Sequence, residues 1–149
     1  MRVRIAIGSL GLVMATACNQ RAPRTAAPLA PRAQHPGESV DISAMSATVR
    51  NADSTRPHCP VYPHAEASLT VSGVNGLIQY RWERSDSTMG PLYQVTADSA
   101  KTKPGAMALQ PDDWTDNRPG VQLTVEEYVH VLYPFDVRSA PVSINAKCY

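Results

Sequence analysis

The stretch Gly76-Leu77-Ile78-Gln79-Tyr80-Arg81-Trp82-Glu83-Arg84-Ser85-Asp86 predicts the fold of this chain. Its large apolar side chains Ile78, Tyr80 and Trp82 alternate with polar ones, and a period of two indicates a β-strand with one buried face. A buried tryptophan removes a large area from water and usually needs a partner for its indole N–H. We therefore predict a core strand here, with Trp82 inside the protein; a ligand-stacking tryptophan is the alternative.

Further strands are predicted on both sides of this stretch. Asn75-Gly76 is a strong turn signal, so residues 68–72 should form the preceding antiparallel strand of a hairpin. Residues 41–50 alternate and then shift by one position, which predicts a first strand with a β-bulge. Residues 121–133 form the longest candidate strand, either continuous or kinked at Glu126-Glu127. The predicted core consists of Trp82, Tyr80, Ile78, Leu69, Val71, Leu123, Val125, Val142 and Ile144.

Composition narrows the class of protein. The 149 residues include 13 prolines and only 6% aromatic residues, which favours one loop-rich β domain over a helical bundle. From residue 39 onward, nine basic minus twelve acidic residues give a net charge of −3. A mildly acidic domain lacks the basic surface that nucleic-acid binding requires, so no nucleic-acid partner is expected.

The first residues have the pattern of an export signal. Met1-Arg2-Val3-Arg4 is a short basic region, and the apolar run of residues 5–13 is too short for a membrane-spanning helix. Ala15-Thr16-Ala17-Cys18 resembles a bacterial lipobox, which predicts a signal peptide over residues 1–17 and a lipid on Cys18. The same small residues also fit ordinary signal-peptide cleavage, and both alternatives export the protein.

If Cys18 carries lipid, the other two of the three cysteines can form one disulfide. Cys59 and Cys148 then remain as a pair, and disulfides persist in an oxidising compartment outside the cytoplasm. Two free thiols are the alternative. Between the lipidated cysteine and the domain, residues 18–38 are rich in Pro, Ala and Arg without apolar periodicity, so we predict a disordered tether.

Taken together, these patterns resemble a small immunoglobulin-like domain of exported bacterial proteins. The resemblance covers residues 39–149 and rests on the tyrosine-x-tryptophan strand, Val121-x-Leu123-x-Val125, and the final strand that ends at Cys148. It implies an all-β, immunoglobulin-like antiparallel β-sandwich of about seven strands. The position of the two cysteines departs from antibody domains, whose disulfide joins the two sheets in mid-strand.

Three groups of side chains could suggest metal binding. Glu127-x-x-His130 has a metal-ligand spacing, but in a strand its members point to opposite faces. The group His58, Cys59 and His64 could suggest zinc, although a disulfide would consume the cysteine. An oxygen-rich group could suggest calcium, although the spacing of an EF-hand is absent. This last group consists of Asp112, Asp113, Asp116 and Asn117.

No catalytic motif is present in the sequence, and neither a cofactor nor a metal is predicted. The anchor, the tether and the sandwich together predict a membrane-anchored binding or interaction module that is not an enzyme. Its predicted partners are the membrane, through lipid on Cys18, and an envelope protein or glycan. A structural or oligomerising envelope lipoprotein is the alternative, and an uncharacterised hydrolase is a remote one.

Overall fold

The computed structural model describes residues 27–50, 58–98 and 106–149. These ranges contain strands and loops but no helix, so they hold no helical segment able to cross a membrane. Two antiparallel sheets confirm the predicted all-β class. The nine strands are β1 (Ser39–Arg50), β2 (Tyr62–Ser72), β3 (Gly76–Arg84), β4 (Tyr93–Ala97), β5 (Met107–Ala108), β6 (Asp112–Asp113), β7 (Gln122–Tyr133), β8 (Val137–Arg138) and β9 (Val142–Lys147).

The first sheet is built around β2. One edge of β2 pairs with β1 along its whole length, and the other edge pairs first with β6 and then with β5. The short strands β5 and β6 therefore act as two halves of one interrupted strand. The predicted irregularity in β1 lies between Ser43 and Ser46, where the register with β2 shifts.

The second sheet has the order β4-β3-β7, with β8 and β9 following each other along the free edge of β7. Trp82 on β3 lies opposite Val129 on β7. β7 is continuous, so the alternative of a kink at Glu126-Glu127 is wrong. Glu127 does not interrupt the buried face of β7; its side chain lies in the interior, between Val125 and Val129.

The interior face of β3 explains why the two sheets pack together. Trp82 is completely buried, and its indole Nε1 donates a hydrogen bond to the Gln110 carbonyl oxygen at 2.8 Å. The Gln110 amide N–H donates to the Tyr80 hydroxyl at the same distance. Gln110 lies between β5 and β6, so these bonds connect the centre of the second sheet to the edge of the first.

The predicted core side chains lie where the two sheets meet, although Val142 is only partly buried at the start of β9. The predicted pair of Cys59 and Cys148 is confirmed as a disulfide. It joins the chain just before β2 to the residue after β9, at one end of the sandwich. Three elements differ from the sequence prediction: β2 begins at Tyr62 rather than at residue 68, and β6 and β8 were not predicted.

An N-terminal segment, residues 27–38, lies against the sandwich at the opposite end. The Leu29 amide donates to the Gln79 side-chain oxygen at 2.6 Å, and the Arg32 amide donates to the Pro134 carbonyl at 2.8 Å. The Arg32 guanidinium also lies 5.2 Å from the centre of the Phe135 ring. The sequence predicted a disordered tether over residues 18–38, whereas Leu29 and Arg32 make these contacts with the sandwich. The residues before 27, with the predicted leader and Cys18, lie outside the described ranges.

Gly73 allows the N-terminal segment to approach the hairpin between β2 and β3. A Cβ atom at Gly73 would lie 2.5 Å from the Gly37 carbonyl oxygen, whereas a Cβ atom at Gly120 would meet nothing within 4 Å. Both glycines have left-handed φ angles, +67° and +76°, so an alanine at either position carries a similar backbone strain of about 1 kcal/mol.

We expect Gly73→Ala to lower the free energy of unfolding clearly more than Gly120→Ala, because only the first change also forces Gly37 away from the hairpin. Urea denaturation of the two variants measures the difference. Equal losses would mean that the contact between Gly37 and Gly73 contributes nothing to stability.

Candidate functional site

Polar side chains on β3 and β7 form two clusters, one on each face of the second sheet. The reason is the alternation of side chains along a strand: Arg84 follows Trp82 into the interior, whereas Glu83 points to the outer face. The buried cluster consists of Arg84, Asp112, Trp114 and Glu127. The surface cluster consists of Arg81, Glu83, His130, Asp136 and Arg138.

Arg84 is the centre of the buried cluster. Its Nη2 donates to Asp112 Oδ2 at 2.5 Å, and its guanidinium lies 4.2 Å from the Trp114 ring centre. Its Nε is 3.7 Å from Glu127 Oε1, and neither of these two atoms has a hydrogen-bond partner among the described residues. Trp114 Nε1 donates to the other Glu127 oxygen at 3.3 Å. Three ionisable groups and an indole thus share one space between the sheets.

The environment of Glu127 favours its protonated form. Burial raises its pKa to about 8, and a hydrogen bond with the Asp112 carboxylate adds to the rise, outweighing the opposite effects of Arg84 and Trp114. The cluster then contains one cation, one anion and one neutral acid. This balance avoids the cost of an unpaired buried charge.

The buried cluster crosses between the sheets. Asp112 belongs to β6 in the first sheet, while Arg84 and Glu127 belong to the second. It also separates the apolar interior into two parts, because one group of buried side chains surrounds Trp82 and another surrounds Leu123 and the disulfide. The cluster is therefore a polar layer inside the sandwich that connects the two sheets.

The surface cluster is organised around Glu83, which is almost completely buried beneath its partners. Glu83 Oε1 lies 2.6 Å from Arg81 Nη2 and 2.8 Å from His130 Nδ1, and Glu83 Oε2 lies 3.4 Å from Arg138 Nη2. Burial by itself would raise the Glu83 pKa, but the hydrogen bonds from His130 and Arg81 outweigh it and hold this pKa below its ordinary value.

The His130 ring is held by carboxylates on both sides. Its Nδ1 contacts Glu83 and its Nε2 contacts Asp136 Oδ1, each at 2.8 Å. An imidazole whose two nitrogens already contact carboxylates has none left to activate a hydroxyl group. The arrangement therefore suits fixed positioning of charges better than general base catalysis.

A shallow cleft of about 240 Å³ opens beside the surface cluster. It lies between the turn after β3 and the two strands β7 and β8. Among its lining side chains, Met89 is exposed, and the Arg138 guanidinium lies 5.4 Å from the Tyr128 ring centre. The cleft is lined by Glu83, Arg84, Ser85, Ser87, Thr88, Met89, Tyr128 and Arg138.

The candidate metal ligands from the sequence do not converge. Glu127 lies in the buried cluster and His130 on the outer face. Cys59 is in the disulfide, while His64 contacts Glu66 and Asp113. In the oxygen-rich group, each aspartate contacts a different cation: Asp112 with Arg84, Asp113 with Arg50 and Asp116 with Arg118, while Asn117 is exposed. Within the described ranges, no three His, Cys, Asp or Glu residues are placed to hold a metal ion.

Sequence reasoning missed both clusters, although part of the signal was present. Arg84 has the same parity along β3 as Ile78, Tyr80 and Trp82, and Glu127 has the same parity along β7 as its buried valine neighbours. Opposite charges at interior positions of two strands indicate a buried ion pair. No such signal existed for Asp112, Trp114 and Arg138, because they come from loops and two-residue strands.

No protein-family model matches this chain, and comparison with curated proteins and with solved structures gives no match.

We expect Glu127→Gln to remove a pH dependence of stability. The folded protein retains the Glu127 proton up to a pKa of about 8, whereas the unfolded chain releases it near the ordinary value of 4.5. Wild-type stability should therefore fall as pH rises from about 4.5 to 8. The substituted amide would imitate the protonated acid without titrating, so the variant should gain stability over wild type progressively across this range.

Urea denaturation at one-unit steps from about pH 5 to about pH 9 measures this difference. Glu126→Gln is the matched control, because Glu126 is the exposed neighbour on the same strand and should leave the slope unchanged. A constant difference in stability between Glu127→Gln and wild type across this range would contradict the assignment of a buried protonated acid.

Proposed function

We propose that this chain is a lipid-anchored, extracytoplasmic binding module built on an immunoglobulin-like sandwich. The observation that carries the proposal is the cleft beside the surface cluster, which lies between the turn after β3 and the paired strands β7 and β8 and is lined by charged and hydroxyl-bearing residues. Sites on a rigid scaffold recognise ligands with little loss of conformational entropy. His130, the group best suited to acid–base chemistry there, has both nitrogens engaged, which favours binding over catalysis.

The strand order supports the immunoglobulin-like part of the proposal. A sheet of β1, β2 and the interrupted β5–β6 strand faces a sheet of β4, β3, β7 and the interrupted β8–β9 strand. If β5 and β6 are counted as one strand, β7 is the sixth strand of the chain, and it lies between the third strand, β3, and the last, β8–β9. Immunoglobulin-related sandwiches also place their sixth strand between the third and the last. The departure is the disulfide, which joins the ends of two strands instead of crossing the middle of the sandwich.

Export is supported by the leader and by the disulfide. A bond between Cys59 and Cys148 is stable in an oxidising compartment, and it leaves Cys18 as the third cysteine of the chain. Lipidation of Cys18 gives that cysteine a function and keeps the domain at a membrane surface. Ordinary cleavage of the signal peptide would instead release a soluble exported domain.

The N-terminal segment would determine how an anchored domain is oriented. Residue 27 follows Cys18 by only nine positions, and a chain of that length spans at most about 30 Å. The end of the sandwich that carries Pro134 and Phe135 would therefore face the membrane. The opposite end, with the disulfide, would face outward.

We expect the intact mass of protein extracted from membranes to show acyl chains on Cys18 as the new N-terminal residue and two fewer hydrogens for the Cys59–Cys148 bond. Cys18→Ser should lack the acyl mass and leave the membrane fraction. An unmodified Cys18 in membrane-extracted protein would disprove the anchor, whereas the binding function would remain to be tested separately.

The binding function itself is tested by affinity capture from an envelope extract with the full chain as bait. Specific recovery of an envelope protein or glycan supports the proposal, with the urea-unfolded chain as the control bait. Recovery of further copies of the same chain, together with an oligomer by light scattering, would favour the structural alternative.

A further inference from the structure

The cleft beside the surface cluster has the size of a subsite. Its volume of about 240 Å³ is smaller than the roughly 300–1,000 Å³ typical of pockets for drug-sized ligands. It can therefore hold one small group, such as one residue of a polymer whose neighbours lie along the open surface. What that residue is depends on the side chains that line the cleft.

Arg138 is the cation in the cleft that a ligand can recruit. Its contact with Glu83, at 3.4 Å, is the longest of the three ion pairs to this carboxylate, and its side chain is 55% exposed. If Arg138 moves away, Glu83 keeps Arg81 at 2.6 Å and His130 at 2.8 Å. No buried charge would lose its last partner, so moving Arg138 to a ligand has a small cost.

Charge favours an anionic group over a cationic one. Glu83 already contacts three basic side chains, so an incoming cation would find no unmatched acid in the cleft and would be repelled by Arg138. A carboxylate, by contrast, matches the planar fork of a guanidinium and can accept two parallel hydrogen bonds from it. The Tyr128 ring lies beside the Arg138 guanidinium and would hold it flat for this pairing.

Hydroxyl groups line the side of the cleft formed by the turn after β3. Ser85, Ser87 and Thr88 all contribute to the lining. The Ser85 hydroxyl accepts a hydrogen bond from the Glu126 amide at 3.0 Å and keeps its own proton to donate. The Thr88 hydroxyl donates to Asp86 and can still accept. Ser87 has a left-handed φ of 69°, as expected for the last residue of a three-residue loop, which here is closed by hydrogen bonds from the Arg84 amide to the Thr88 carbonyl and from the Ser87 amide to the Arg84 carbonyl. Hydroxyls both donate and accept hydrogen bonds, as the hydroxyls of a sugar ring do.

We infer that this cleft binds one carboxylate-bearing sugar residue, a uronic acid, of an envelope or extracellular polysaccharide. The Arg138 guanidinium takes the carboxylate, while the Ser85 hydroxyl donates to one ring hydroxyl and the Thr88 hydroxyl accepts from another. The exposed Met89 side chain covers an apolar edge of the ring. The inference rests on the proposed binding function and names its ligand class.

Ligand-observed NMR on the full chain in detergent tests the inference, with sodium D-glucuronate, D-glucose and sodium acetate as probes. We expect glucuronate to bind more tightly than either of the other two. Glucose binding equally well would overturn the role of the carboxylate, and acetate binding equally well would overturn the role of the sugar ring. If none of the three binds, the cleft is not this site.

Arg138→Gln should weaken glucuronate binding about tenfold or more, because a charge-assisted pair is lost. Arg118→Gln is the matched control: the Arg118 side chain is similarly exposed, at 61%, and also pairs with an acid, Asp116, but it lies outside the cleft. Equal affinities of wild type and Arg138→Gln would overturn the inference. Capture of a specific protein from the extract, without glucuronate binding, would leave the proposed binding function standing and remove only the sugar.

Discussion

The hydrogen bond from the Trp82 indole to the Gln110 carbonyl is the interaction on which the rest of this structure depends. A tryptophan can be sealed between two sheets only if its N–H finds an acceptor there. Gln110 provides it from the first sheet, and its own amide N–H is satisfied by the Tyr80 hydroxyl. Gln110 lies in the break between β5 and β6, so the acceptor for the indole comes from the interrupted edge of the first sheet.

The same strand explains the polar features on both faces of the second sheet. Beyond Trp82, the alternation of β3 sends Glu83 outward and Arg84 inward. A buried arginine requires nearby anions, and Asp112 and Glu127 supply carboxyl groups from both sheets. Burial, with a further contribution from Asp112, raises the pKa of Glu127 to about 8, so this acid favours its protonated form. The strand β3 therefore carries both the central core side chain, Trp82, and the charged residues Glu83 and Arg84 around which the two clusters form.

The surface cluster, unlike the buried one, contains a basic side chain that can move away without leaving a buried charge unpaired. Glu83 has three basic partners, and Arg138 is the most exposed and the most distant of them. Arg138 is therefore the side chain that the proposed anionic ligand would contact. In the buried cluster, by contrast, Arg84 and Glu127 each have one atom without a hydrogen bond among the described residues, so no partner there is spare.

Local patterns in the chain were sufficient to predict the all-β class, the core position of Trp82, the bulge in β1 and the pairing of Cys59 with Cys148. Alternation, turn residues and the number of cysteines are local or compositional signals, so they can be recognised without the folded structure. Only the folded protein decided where the polar side chains meet. Arg84 and Glu127 showed their interior parity in the sequence, but Asp112 and Arg138 reach their partners through β6 and β8, strands too short to leave a periodic pattern. Contacts between residues distant in the chain depend on the register of the sheets, and the packing of the whole sandwich sets that register.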